Sequence, residues 1–446
     1  MKRSHSFSGL VVWSLIALLG SASGSHPQSQ DHGAAASTTP QAKSSAYAGP
    51  DGISVDQLIY AMLARNLELR AARQRLAEAE GRLVQSGLRP NPSVEFQQLD
   101  DRLLSNNGER EQELAFHQPL ELFGKRSRRI ELARAELERI RYEVQDGERR
   151  QTADLALLVG QALSEVSRLY ALERVSDLNE SLRSATALRV RVGDASRYEF
   201  SQVEAESARL DAEKLRATTR LEGLLLQIKT LAGMSPDDSL KLNDSEFGVQ
   251  AVEVNLAEAL RIAADTRPDL KAASIAEREA EARIKLAESE RAPELGAILG
   301  YKRTSSAGAG PVPSSDWQFR AGVSVTLPLF NRNQGLISEG AAALEEARLH
   351  RESLEQIVRR DVTLAMRRLD QVRREVRLYE DRLLPLGQDS VRMAKLGFDL
   401  GEVRLGDYVL EQRRLADAET AYVQAKADLF QARVEVERAI GRRLQK

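Results

Sequence analysis

The chain repeats itself once, at an offset of about 200 residues, and this duplication constrains the fold more than any other feature of the sequence. Three short motifs recur in the same order in both halves. They pair residues 66–69 with 267–270, 118–120 with 327–329, and 192–194 with 400–402. Each half is predicted to fold as a helix, two short strands, a long helix, a glycine-centred turn and a second long helix. We therefore expect two tandem structural repeats, over residues 51–245 and 246–446.

The predicted helices are unusually long. Residues 125–191 contain no proline, and as one helix they would extend about 100 Å at 1.5 Å per residue. In the second half, Pro385 predicts a kink or break in the equivalent helix. After each turn, apolar and small residues recur at steps of three, four and seven, which is the spacing of a coiled-coil seam. The seam residues are Phe200, Val203, Ser207, Leu210, Lys214, Ala217, Leu221, Leu224, Ile228 and Leu231, then Tyr408, Leu415, Ala418, Tyr422, Ala425, Leu429, Ala432 and Val436.

The N-terminus has the layout of a secretory signal peptide, which we assign to residues 1–25. Lys2 and Arg3 precede the apolar stretch 10–19, and small residues follow it. That stretch is too short to span a membrane as a helix, which takes about 20 residues, and no later window predicts such a helix. Residues 26–50 are mainly small and polar, so we predict a flexible leader, with ordered structure starting near Gly52.

Composition limits how the exported chain can meet a membrane. It has no cysteine, which excludes disulfides and acylation at a lipoprotein cysteine. Without Lys2 and Arg3 there are 62 basic and 66 acidic side chains, a net charge of −4, with the two signs interleaved. This pattern does not predict nucleic-acid binding. Any membrane attachment has to come from the folded chain, and a β-barrel is the remaining option.

Four segments predict strands, at about residues 93–100, 111–120, 294–302 and 316–328. In the fourth, apolar residues from Trp317 to Leu327 alternate with polar or small ones from Gln318 to Thr326. A period of two over about 11 residues is typical of a membrane strand with lipid on one face and a wet lumen on the other. The links at 100–108 and 303–315 are polar, as hairpin loops should be. His117, near the end of the second strand, is interpreted as a polar lumen or interface residue.

Four strands cannot close into a barrel, and an open sheet edge is not tolerated in lipid because each unpaired backbone group costs several kcal/mol. Closure therefore requires several chains. Two chains would give eight strands and a barrel filled by its own side chains, whereas three would give twelve strands and leave a passage. We expect an α+β membrane protein in which a barrel shared between subunits continues into a long helical tube.

This layout resembles the TolC-like outer membrane efflux proteins over the whole mature chain, and within them the CzcC-type heavy-metal ducts. The segments that carry the resemblance are 88–92 (LRPNP), 118–126 (QPLELFGKR), 327–335 (LPLFNRNQG) and 383–385 (LLP). The resemblance implies a homotrimer with a twelve-stranded barrel, four strands per protomer, continuing into a periplasmic helical barrel. It also implies a periplasmic adaptor and an inner-membrane pump of the RND type as partners, with heavy-metal cations as cargo.

The resemblance further implies that adaptors dock at the two helical hairpin tips. Mapped onto this chain, the docking residues are Val192, Gly193, Ser196, Leu400, Gly401 and Arg404. Carboxylates just past each tip would ring the closed periplasmic mouth. The gate candidates are Glu199 and Arg197 in the first repeat, and Asp407 and Glu411 in the second. Glycine is also the usual residue for reversing between helices, and acids also simply favour helix starts, so both structural interpretations stay open.

The sequence gives little support to other classes of function. The folded region has only His117 and His350 as histidines, no cysteine and no glycine loop that would cradle a phosphate, so neither an enzyme nor a cofactor is predicted. A periplasmic adaptor would have one hairpin rather than two. A structural coiled coil would lack the strands. A multidrug duct and an exit duct for type I protein secretion share the predicted fold and remain alternatives.

Overall fold

The computed structural model describes residues 46–100, 109–244, 254–306 and 314–443. The predicted signal peptide and residues 26–45 of the leader lie outside this part of the chain. The elements follow in the order β1 (Ala48–Ile53), α1 (Val55–Arg65), α2 (Leu67–Ser86), β2 (Ser93–Asp100), β3 (Glu109–Leu120), α3 (Lys125–Arg191), α4 (Arg197–Ala232), α5 (Leu256–Thr266), α6 (Pro268–Ser289), β4 (Glu294–Ser306), β5 (Ser314–Thr326), α7 (Gln334–Leu378), a π-helical turn (Tyr379–Leu383), α8 (Leu384–Asp399) and α9 (Leu405–Ile440).

The same order of elements occurs twice along the chain. The first copy is α1, α2, β2, β3, α3 and α4, and the second is α5, α6, β4, β5, α7 with α8, and α9. Matched helices have nearly the same length: α1 and α5 have 11 residues each, and α4 and α9 have 36 each. The long helix α3 has 67 residues, which corresponds to about 100 Å.

The folded chain begins before the predicted start. Residues 46–50 were assigned to the leader, but Ala48 is buried and belongs to β1. Leu242 donates its backbone N–H to Tyr47 O at 2.9 Å, and Ile53 donates to Lys241 O at 2.8 Å. The leader boundary at residue 50 is therefore too late. Composition missed these residues because backbone bonds, rather than large apolar side chains, hold most of this segment.

The strands β2, β3, β4 and β5 form one antiparallel sheet in that order. β4 extends beyond the predicted residue 302 to Ser306, because residues 303–306 pair with 109–112 of β3. β5 ends at Thr326 rather than at 328, because Pro328 has no N–H and restricts the residue before it. Within the described chain, one side of β2 and one side of β5 have no strand partner.

The helices form a wall in which α3 packs against α2, α4, α6 and α9. Both predicted seams are buried here: Val203, Leu210 and Leu221 are almost fully covered on α4, and the same holds for Ala432 and Val436 on α9. One window of α3 is long and apolar enough to cross a membrane by composition, although the sequence reading found none. Of that 18-residue window, 61% is buried against the rest of the protein, as expected for a helix packed among other helices.

Pro385 interrupts the second long helix, as expected. It lies in the first turn of α8, directly after the π-helical turn, and Leu384 donates its N–H to Tyr379 O, one residue further back than in an α-helix. Tyr422 on α9 donates from Oη to Glu380 Oε1 at 2.7 Å and so holds this turn in place. Burial, followed by the bond to the Glu380 carboxylate and its charge, raises the pKa of Tyr422 to about 12.

A matched junction ties each pair of short helices to the end of its long partner. In the first repeat, Asn66 donates from Nδ2 to Leu231 O at 2.9 Å and accepts from Leu69 N at 3.0 Å. In the second, Arg267 donates from Nη1 to Ala439 O at 2.8 Å and forms a bidentate pair with Asp269. Both side chains are buried.

Candidate functional site

The strand register sorts the sheet into one apolar and one polar face. A row here consists of residues that lie directly opposite one another on neighbouring strands, and every second row along the strands belongs to the apolar face. The side chains of this face are well exposed, with Phe319 at 75% and Val323 at 68%. The apolar rows are Phe96, Leu114, Tyr301 and Phe319; Val94, Phe116, Leu299 and Ala321; Ala297 and Val323 beside Gln118; and Leu120, Leu295 and Val325. Neighbouring apolar rows are about 6.8 Å apart along the strands. A surface this apolar needs a nonaqueous neighbour.

The opposite face has paired charges. Lys302 lies 2.8 Å from Glu111, Arg320 pairs with Glu113, and His117 Nε2 lies 3.6 Å from Glu95 Oε2. The Arg320 side chain passes over Gly300 of β4 to reach Glu113 on β3. This face suits contact with water. His117 lies on it, in agreement with its interpretation as a polar lumen residue.

The first hairpin tip is a closed turn with both ends capped. Gly193 has a φ of 83°, in the left-handed region, and Asp194 donates its N–H to Arg189 O at 2.8 Å. Ser196 then caps α4. Glu199 N donates to Ser196 Oγ at 3.2 Å, and the Glu199 carboxylate accepts from Ser196 N at 2.9 Å. The exposed side chain of Val192 lies beside this turn.

The second tip has the same turn without the cap. Gly401 has a φ of 76°, and Glu402 donates its N–H to Gly397 O at 2.8 Å. Arg404 occupies the N-cap position of α9, but its side chain makes no capping bond. Asp407 therefore stands where Glu199 stands in the first repeat, with its carboxylate unused by any cap. Leu400 is 67% exposed next to the turn.

Comparisons with known proteins agree with this geometry. A family model described as outer membrane efflux protein matches residues 259–442. The cobalt-zinc-cadmium resistance protein CzcC of Cupriavidus metallidurans is 27% identical over 412 residues, covering 89% of this chain and 91% of that protein. The nickel and cobalt resistance protein CnrC of the same organism is 25% identical, covering 68% and 70%. The solved outer membrane protein VceC of Vibrio cholerae has a TM-score of 0.70 at 16% identity, covering 88% of this chain and 97% of that one.

Residues 259–442 thus match the outer membrane efflux protein family, and the chain is similar to the metal-resistance protein CzcC over most of its length. The TolC-like fold, the outer membrane location and the periplasmic helical extension predicted from the sequence are thereby confirmed. In that location the apolar face of the sheet suits contact with lipid. From the Gln98 row to the Leu120 row the strands rise about 27 Å, which at a tilt of about 40° gives a height of about 20 Å, close to the apolar band of outer membrane barrels.

The structure does not bring the predicted gate residues together within one protomer of this efflux protein. Glu199 is engaged by the cap rather than by Arg197, and Asp407 has no side-chain bond to Arg404 in the described chain. Glu411 pairs instead with Arg414, three residues further along α9. Arg197 and Arg404 are both exposed, and the assignment of these residues to a gate stays a prediction.

A stacked cluster at the tips was missed by the sequence analysis. The Arg189 guanidinium on α3 lies 5.6 Å from the ring centre of Phe398 on α8, and that ring stacks on Tyr408 of α9 at 5.7 Å and 13°. Gln412 donates to Tyr408 Oη at 2.7 Å, and burial raises the pKa of Tyr408. The aromatic residues on both sides of Gly401 were a possible signal, but nothing in the sequence pairs them with Arg189. The cluster joins the two hairpins where they end.

The described residues offer no group of three or more histidine, aspartate or glutamate side chains that could hold a metal ion. The paired charges on the polar face, Glu95, Glu111, Glu113, Lys302 and Arg320, were also absent from the sequence-based candidates. They could have been found by carrying the strand alternation into the polar positions. A wet, charged wall of this kind can pass ions without binding them tightly.

Proposed function

We propose that this protein is the passive exit duct of a tripartite efflux system and that it carries heavy-metal cations from the periplasm to the exterior. The observation that carries the proposal is the sheet: four strands with a lipid-type face and two unpartnered edges, continuous with helices about 100 Å long. Family members are transport proteins rather than enzymes, so the energy would come from an inner-membrane RND pump, joined by a periplasmic adaptor.

The unpartnered edges support a homotrimer. A second copy placed beside β5 would pair its β2 with that edge, and a ring closes after three copies with twelve strands. The outermost helices carry matching seams. On α8, which has no buried residue in the described protomer, the exposed apolar positions are Leu386, Met393 and Leu396, followed by Leu400 at the C-cap. On α4, the exposed positions at heptad spacing are Tyr198, Ser201, Ala205, Ala208, Ala212, Leu215, Thr219, Glu222 and Leu226.

The hairpin tips are the proposed adaptor-docking surface. Both left-handed glycines, Gly193 and Gly401, would meet open space if a Cβ were added, so no side chain of the protomer covers them. The exposed Val192 and Leu400 beside them offer apolar contacts. Ser196 and Arg404 begin the outgoing helices at the same level. An adaptor hairpin could approach the bare backbone at each turn.

The metal cargo is proposed from the relatives, whose names state cobalt, zinc, cadmium and nickel resistance. The test is a deletion strain that keeps its own adaptor and pump. Returning this gene should restore growth on zinc, cobalt, nickel or cadmium salts and leave drug susceptibility unchanged. Restoration of drug resistance alone would favour a multidrug duct. Loss of a secreted protein in the deletion strain, with metal tolerance intact, would favour type I secretion.

A further inference from the structure

One charged residue stands on the lipid-facing side of the sheet above the apolar rows. The next row towards the hairpin links contains Gln98, Gln112, Arg303 and Trp317. Among the described residues of β2–β5, Arg303 is the only charged side chain in any row of this face from here to the Leu120 row. A charged group on a lipid-facing strand is destabilising unless it reaches the interface.

The Arg303 side chain is held by an aromatic neighbour. Its guanidinium carbon lies 4.9 Å from the Trp317 ring centre, and Trp317 contacts Tyr301 at 4.9 Å. Trp317 is 58% exposed, as an interfacial ring would be. No carboxylate in the described chain pairs with Arg303. Because this cation–π contact is not a hydrogen bond of the guanidinium N–H groups to an acceptor, those groups stay available for an anion.

The direction of the sheet assigns this row to one leaflet. Helices α2, α3, α6 and α7 join the strands at the opposite end, and in an outer membrane efflux protein those helices are periplasmic. The Arg303 row is therefore on the side of the outer leaflet. The anions available there are the phosphates of the phosphorylated glycolipid of that leaflet, lipid A with its attached saccharide.

We propose that Arg303, stacked on Trp317, binds a lipid A phosphate and so fixes the barrel to the outer leaflet. Arginine matches phosphate oxygens through parallel charge-assisted hydrogen bonds. In the same row, Gln112 donates to Gln98 Oε1 at 3.3 Å, which places further polar groups beside the headgroup. The next row of this face towards the hairpin links contains Arg110, whose Nε lies 3.5 Å from Asp100 Oδ2. Because Arg110 already has this carboxylate partner, we expect it to bind a phosphate less tightly than Arg303 does. This inference does not depend on the cargo of the channel.

The test compares Arg303→Gln with Arg320→Gln, a matched change on the water-facing side of the same strand pair. Purified full-length oligomers, with assembly checked by native mass, are titrated with lipid A in detergent and scored by native mass spectrometry. Phosphatidylglycerol and inorganic phosphate are titrated separately. Arg303→Gln should weaken lipid A binding about tenfold or more, as expected for loss of a charged hydrogen bond, and Arg320→Gln should leave it unchanged. Arg303→Lys should bind between wild type and Arg303→Gln.

Three outcomes would overturn the proposal. The first is binding of lipid A by Arg303→Gln as tight as that of the wild type. The second is an equal loss of binding in Arg320→Gln, which would indicate a general charge effect. The third is binding of phosphatidylglycerol with the same dependence on Arg303, which would make the site a general phospholipid contact rather than a glycolipid one.

Discussion

The two repeats share one architecture but differ in the long helix, at the hairpin tip and at the helix junction. In the first repeat the long helix α3 is unbroken, the tip is closed by the Ser196–Glu199 capping box, and the junction uses the neutral Asn66. In the second, the long helix is interrupted before Pro385, the tip has no capping side chain, and the junction uses the charged Arg267. The duplication therefore gives one hairpin with an unbroken long helix and a capped tip, and one with an interrupted long helix and an uncapped tip.

The largest expected effect concerns what the repeats still share, the left-handed tip glycines. Replacing Gly193 or Gly401 by Leu strains the turn by about 1–2 kcal/mol and covers the bare backbone, so metal resistance should fall to the level of the deletion strain. Gly→Asn keeps the turn but adds a side chain, and it should also lower resistance if docking needs the backbone. Gly223→Leu, at an open position on α4, is the control. Resistance is read from growth, and assembly from oligomer levels in the outer membrane.

If Gly→Leu and Gly→Asn both leave resistance unchanged at normal oligomer levels, the tips do not dock the adaptor.

The second prediction separates the junctions. Arg267→Met leaves the half-buried Asp269 without its main partner and should destabilise the protein by about 3 kcal/mol, whereas Asn66→Ala should cost about 1 kcal/mol. Burial raises the pKa of Asp269, but the bond to Arg267 and the charges of Arg267 and Arg149 outweigh it and lower the pKa. This stabilisation is present above the ordinary aspartate pKa of about 3.9 and is lost as the pH falls through the lowered value.

The measurement is thermal unfolding followed by circular dichroism, at pH 7 and in steps below pH 4. The difference between wild type and Arg267→Met should shrink in acid. Equal destabilisation by Asn66→Ala and Arg267→Met at pH 7 would remove the distinction between the junctions.

The third and smallest prediction concerns the tips as a gate. Since the Glu199 carboxylate is occupied by its cap and the Asp407 carboxylate is not, only Asp407 is available to bridge to a basic residue of the next protomer. Asp407→Asn should raise the single-channel conductance of reconstituted channels several-fold. Glu199→Gln, which removes the charge but can keep the capping box, should change it little. A larger conductance change from Glu199→Gln than from Asp407→Asn would reverse this assignment of roles.

Much of the fold could be predicted because its helices and strands follow from local periodicity in the sequence. Alternation placed the strands to within four residues at each end, and the three-four-seven spacing placed the seams of α4 and α9. What escaped prediction depends on contacts between distant segments. The end of β4 is set by pairing with β3, since residues 303–306 have no alternation of their own. The contact of Arg189 with Phe398 joins residues 209 positions apart, and the hydrogen bond from Tyr422 to Glu380 in the π-helical turn joins residues 42 positions apart.

The site was predicted less completely than the fold for the same reason. The resemblance supplied the tip positions, and the structure shows a left-handed glycine at both. The Glu199 carboxylate is bonded because Ser196 forms a capping box with it, whereas Arg404 at the equivalent position forms no cap and leaves the Asp407 carboxylate without such a bond. This difference depends on side-chain geometry at the turn. The gate assignment stays a prediction, and a bridge between subunits is what the third prediction tests.

We propose that identical subunits share one pore because a protomer has too few strands to close a wall. The native mass of the purified mature protein in detergent tests this proposal. We expect a single species of three protomers that precipitates or aggregates when detergent is removed. A monomer that stays soluble in water without detergent would contradict the proposal.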